Sequence, residues 1–113
     1  MMTIYGIKSC GSVKKAFKFF DENSIEYEFV DFKKTTVNRE KILQWLAQSD
    51  MKTLFNSRSS TYKKHNLKEL NLDDDGKLEW LEKENILIKR PVIEFDGKVI
   101  VGFDEESYKN IFL

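Results

Sequence analysis

A single cysteine, a single proline and a single histidine are all that the 113 residues contain, and basic and acidic side chains cancel at 19 each. One cysteine excludes an intramolecular disulfide, so the chain is no disulfide scaffold and its thiol stays available to an outside partner. The charge balance lacks the basic excess of a nucleic-acid binder. No apolar run nears the ~20 residues of a membrane span, and Ile4-Tyr5-Gly6-Ile7 is too short for the apolar core of a signal peptide. The expectation is therefore a soluble cytoplasmic monomer of about one domain, with no membrane and no nucleic acid among its partners. His65 has no cysteine or second histidine near it in sequence, so a surface role is expected for it and no metal site.

The stretch Tyr5-Gly6-Ile7-Lys8-Ser9-Cys10-Gly11-Ser12-Val13 runs from a short apolar strand through a loop of small and polar residues into a helix. Val13, Ala16, Phe17 and Phe20 follow the i, i+3, i+4, i+7 spacing of one helix face, with Lys14, Lys15 and Lys18 on the wet side. Cys10 thus falls at or just before a helix N-terminus. Unpaired N–H groups and the helix dipole favour an anion there, and Lys8, Lys14 and Lys15 add positive charge, so a thiolate is favoured over a thiol. Two readings stand at this point. Cys10 is either a nucleophile toward disulfides and oxyanions or a small buried hydrophobe.

In chain order, residues 3–7 read as a strand, 11–23 as a helix and 25–32, alternating apolar and acidic, as a half-buried strand parallel to the first. Asn38 or Thr36 caps a second helix through Ile42, Leu43, Trp45 and Leu46. Short helical pieces follow, at 51–56, at 61–72, and from Asp73 through Leu78 and Leu81, with acidic residues suited to the dipole in the last piece's first turn. Trp45 and Trp80 are expected in the core of this helical part. Two β-rich runs around Asp96-Gly97 read as a hairpin, with Pro91 at the first residue of its leading strand. Asp104 then caps a final helix whose inner side carries Tyr108, Ile111 and Phe112. The order β-α-β, helical insertion, β-β-α points to an α/β thioredoxin-like fold with a helical insertion lobe. It forms a single domain over 1–113, with a core of about 1–34 and 88–113 and an insertion of about 35–87.

Tyr5-Gly6-Ile7 to Cys10, Val13-Lys14-Lys15-Ala16, the Arg58 segment, Leu87-Ile88-Lys89-Arg90-Pro91-Val92 and Val101-Gly102-Phe103-Asp104 together resemble the arsenate reductase (ArsC)/Spx family, in particular its YffB-like branch. The resemblance implies a thioredoxin-like domain in which Cys10 is the redox nucleophile and Arg58 and Arg90 line an anionic site. It also implies a cis bond before Pro91, whose backbone faces substrate. The implied activity is that of a glutathione-dependent thiol reductase. Glutathione would be a co-substrate, no cofactor would be bound, and Lys8, Arg58 and Arg90 would hold carboxylates or an oxyanion. Glutaredoxin is a further possible partner. Two alternatives follow from the same resemblance: an Spx-like regulator that binds RNA polymerase or another protein, and an arsenate reductase. Val13 stands where Spx regulators carry a second cysteine, which rules out a disulfide within this motif. Gly102-Phe103-Asp104 stands where the arsenate reductases carry a third arginine, so arsenate is expected to be a poor substrate.

The stretch from Asn71 to Glu82 also resembles a calcium-binding EF-hand loop, with oxygens at positions 1, 3 and 5, glycine at 6 and glutamate at 12. The competing reading, a helix start capped by acids, is the one expected.

Overall fold

A computed structural model describes residues 2–113. The elements follow in the order β1 (Thr3–Gly6), α1 (Gly11–Glu22), β2 (Glu28–Asp31), α2 (Arg39–Ala47), α3 (Met51–Leu54) and α4 (Ser60–Lys64). After a 3₁₀ turn at Leu67–Leu70 come α5 (Asp74–Lys83), a second 3₁₀ turn at Asn85–Leu87, β3 (Val92–Phe95), β4 (Lys98–Val101) and α6 (Glu105–Phe112). They form two compact units, one from residues 2–31 and 90–113 and the other from 32–89.

The first unit is a four-stranded sheet in the order β2-β1-β3-β4. β1 runs parallel to β2 and antiparallel to β3, which pairs antiparallel with β4. The parallel pair requires a crossover, and α1 supplies it. This is the thioredoxin-like arrangement. β2 is shorter than its alternating sequence, because only Glu28–Asp31 reach the β1 ladder. Side chains alternate along β1. Ile4 enters the apolar core with Ala16, Phe19 and Phe20 of α1, Ile93 of β3 and Tyr108 of α6. Phe20 lies at its centre, stacked on Tyr108 at 5.6 Å and edge-on to Phe112 at 5.1 Å. The hairpin turn is Asp96-Gly97 as expected; both residues have positive φ, 47° and 74°, as a two-residue turn that follows the strand twist demands.

Two expectations for α6 need correction. Ile111 is 43% exposed, leaving Tyr108 and Phe112 to face the core. Asp104 occupies the cap position, but its carboxylate accepts the Ser107 hydroxyl at 2.7 Å instead of a backbone N–H.

In the second unit, Asn38 caps α2 by accepting from the Lys41 N–H at 3.0 Å, and Asp73 caps α5 by accepting from the Gly76 N–H at 2.8 Å. The helix from Asp74 holds most of the stretch that resembles a calcium loop in a helix. Ile42, Trp45, Leu54, Leu81, Leu87 and Ile88 are fully buried. Leu43 of α2 is 46% exposed. Trp80 is half-buried, with its ring under the Lys83 ammonium at 4.6 Å and beside His65 at 5.2 Å. The stretch expected as a helix over 61–72 is broken, because Asn66 and Asn71 adopt left-handed conformations at φ 51° and 45° and bracket a 3₁₀ turn. Asparagine tolerates that region better than most residues. Among the described residues no helix is long and apolar enough to cross a membrane.

Candidate active site around Cys10

Cys10 is the N-cap of α1, with extended backbone at φ −75° and ψ 129°. Its N–H donates to the Ile7 carbonyl at 3.2 Å and its carbonyl accepts from Lys14 at 3.0 Å, so both sides of its backbone are fixed. The side chain is partly buried. Burial pushes the thiol's pKa up. The Val13 N–H, the Arg90 side chain, the Ser12 N–H and the charge of Arg90 act in the opposite direction and outweigh it, so the thiol ionises below its ordinary range.

Arg90 reaches this position because it lies two residues before β3, the strand beside β1. The Arg90–Pro91 bond is cis, as the resemblance implied. The Pro91 carbonyl accepts from the Gly102 N–H at 2.7 Å. Gly102 has φ 87°, a left-handed conformation that only glycine adopts freely, and its own carbonyl accepts the buried Tyr108 hydroxyl at 2.7 Å. Core, α6 and the strand segment beside the cysteine are thus joined by two consecutive hydrogen bonds.

Of the other residues singled out from sequence, Lys8 lies exposed in the turn before Cys10. Lys14, Lys15 and Lys18 are exposed on the wet face of α1, Lys18 facing Glu22 at 3.8 Å. Arg58 belongs to the second unit, where it is exposed in the turn between α3 and α4 and its N–H donates to Asn56 Oδ1 at 3.1 Å. Phe103, half-buried, packs edge-on to Tyr108 at 4.8 Å. His65 is exposed, 3.8 Å from Glu84. Among the described residues no three of His, Cys, Asp or Glu are grouped to hold a metal ion.

Sequence reasoning missed the individual donors. That a helix begins after Cys10 is legible, but not that the Val13 and Ser12 amides are the ones that lower the pKa of its thiol. It also missed Gly6. A Cβ built there would lie 2.7 Å from Val13 Cγ2 and 3.8 Å from Arg90 Cβ. The only available signal was a glycine at the end of a strand, which marks close backbone approach.

The ArsC family model matches residues 5–111. The chain belongs to the ArsC family. An uncharacterised protein of Haemophilus influenzae is 37% identical over 115 residues, which cover 99% of both chains. The global transcriptional regulator Spx 2 of Bacillus anthracis is 26% identical over 96% of this chain and 85% of its own length. Among solved structures, a YffB protein aligns over all of both chains with a TM-score of 0.92 and 32% identity. Family membership and the thioredoxin-like fold therefore agree with what the five sequence segments implied.

Proposed function

We propose that this protein is a glutathione-dependent thiol–disulfide oxidoreductase with Cys10 as its nucleophile. The observation that carries the reading is the pairing of Cys10 at the N-terminus of α1 with Arg90 before β3, which together favour the thiolate. The Cys10 thiolate attacks one sulfur of a disulfide R–S–S–R′. A Cys10–S–S–R bond forms, the old S–S bond breaks, and R′–S⁻ leaves with the electron pair. The chain has no second cysteine to resolve that intermediate. Glutathione thiolate attacks the R sulfur, giving R–S–S–glutathione and restoring the Cys10 thiolate. Lys8 and Arg90 supply cations for the carboxylates of glutathione.

Alkylation of Cys10 by iodoacetamide, followed against pH, tests the thiolate, and intact mass after incubation with oxidised glutathione tests the chemistry. An inflection below the ~8.5 of a free thiol and an adduct of one glutathione, absent in Cys10→Ser, are expected. A free-thiol inflection, or no adduct on folded protein at molar excess, overturns the reading. A second reading, a regulator that binds RNA polymerase or another protein, is favoured by the relative named Spx 2, which aligns over 96% of this chain. Stable co-purification with a polymerase subunit, together with an inert thiol, would decide for it.

A further inference from the structure

Gly6 has no positive φ to explain it, since Gly97 and Gly102 are the glycines in that region. The space around it does. A side chain at position 6 would meet Val13 Cγ2 at 2.7 Å, closer than packed Cβ atoms come, and Arg90 Cβ at 3.8 Å. Val13 cannot readily swing away, because it is fully buried and β-branched, with few rotamers open to it. The two residues that converge on Gly6 are also two that act on Cys10, Val13 through its backbone N–H and Arg90 through its side chain. Arg90 is the charged group that bears on the sulfur, and Lys8 of the same turn is exposed.

We propose that Gly6 is a positioning residue for the reactive cysteine, its missing side chain letting the first turn of α1, which Cys10 caps, settle onto the end of β1 beside Arg90. This rests on Cys10 being the nucleophile. A methyl group at position 6 lifts Val13, and the helix start moves with it. Cys10, at the cap of that helix, then shifts relative to Arg90.

The test is a double-mutant cycle of wild type, Gly6→Ala, Val13→Ala and the double variant, each followed by the pH dependence of iodoacetamide alkylation and by thermal unfolding. Gly6→Ala is expected to raise the alkylation midpoint when Val13 is present, bringing the rate at pH 7 toward that of an ordinary thiol, which is only a few per cent ionised there. In the Val13→Ala background the clash is gone, so the same substitution should leave the midpoint where Val13→Ala alone puts it. An equal shift in both backgrounds, or none in either, overturns the proposal. Should Gly6→Ala not fold, the double variant decides against Val13→Ala alone: equal midpoints support the positioning role and a raised one refutes it. A wild type that itself ionises like a free thiol would instead defeat the nucleophile reading, so the two failures are distinct.

Discussion

The Tyr108 hydroxyl donates to the Gly102 carbonyl at 2.7 Å from inside the core of the sheet unit, where the ring is only 2% exposed. Burial pushes the pKa of this phenol well above its ordinary value, so the hydroxyl keeps its proton and serves as a donor. Removing the hydroxyl leaves a buried carbonyl without that donor, at a cost of about 1–3 kcal/mol. Tyr108→Phe should therefore lower the free energy of unfolding by that amount in urea titration, with the aromatic packing on Phe20 retained. An unchanged midpoint would mean that the carbonyl finds another donor.

Asn85 gives the helical unit a comparable fixed point. Its Oδ1 accepts from the Val37 N–H at 2.8 Å, and its Nδ2 donates to Val37 O at 3.3 Å and Leu81 O at 2.9 Å. Asn85→Leu strands buried polar groups on two segments at once and should destabilise by about 2–4 kcal/mol. Asn85→Asp should also destabilise, since a carboxylate can accept from Val37 but cannot donate to either carbonyl. Stability near wild type in the Asp variant would show that the accepting bond alone suffices.

Features set locally were legible in the sequence: a helix capped at Asn38, one of two candidates, a helix opened by the acids from Asp73, the Asp96-Gly97 turn and the parallel pair joined by α1. Features that depend on the partner surface were not. Nothing local distinguishes Ile111 from Phe112, yet the crossing of α6 over the sheet exposes the first and leaves the second packed against the core. Asp104 shows the same limit, because Ser107 competes for a carboxylate that could have capped a backbone N–H. At the site, the place of Cys10 at a helix start followed from helix phase, while its reading as a nucleophile came with the family resemblance. Arg90 came only through the family resemblance, since a basic residue before a lone proline has no chemistry of its own until the sheet sets β3 beside β1.

Folding and ionisation of Cys10 are linked. Its folded thiol ionises below its ordinary value, so the unfolded chain holds that proton to higher pH than the folded one. The contribution is absent below the folded pKa, grows as pH rises, and is complete above the unfolded value near 8.5. Wild type should thus gain stability over Cys10→Ser as pH is raised toward 9, and the gain should shrink in Arg90→Ala. Parallel stability curves for wild type and Cys10→Ser would show that the thiolate receives no net stabilisation from the fold.

Arsenate makes the last discrimination, because its reduction needs a pocket that holds a multiply charged oxyanion against the thiolate. Charge-assisted bonds to arginine contribute about 1.5–3 kcal/mol each, so the loss of one costs roughly ten- to a hundredfold. Where the resemblance sets a third arginine, this chain has Gly102, Phe103 and Asp104. Phe103 is turned against Tyr108 in the core, and exposed Asp104 holds the Ser107 hydroxyl, so neither supplies a cation. Glutathione makes a weaker demand, since its two carboxylates are separated and Arg90 with Lys8 can meet them. Wild type should accordingly form the glutathione adduct readily, and Arg90→Ala should form it more slowly at pH 7 as the midpoint of Cys10 rises. Arsenate-dependent NADPH consumption, with glutathione and glutaredoxin supplied, should run roughly ten- to a hundredfold below that of a three-arginine reductase assayed alongside. Comparable rates would show that the third arginine is dispensable and that arsenate is a true substrate of this site.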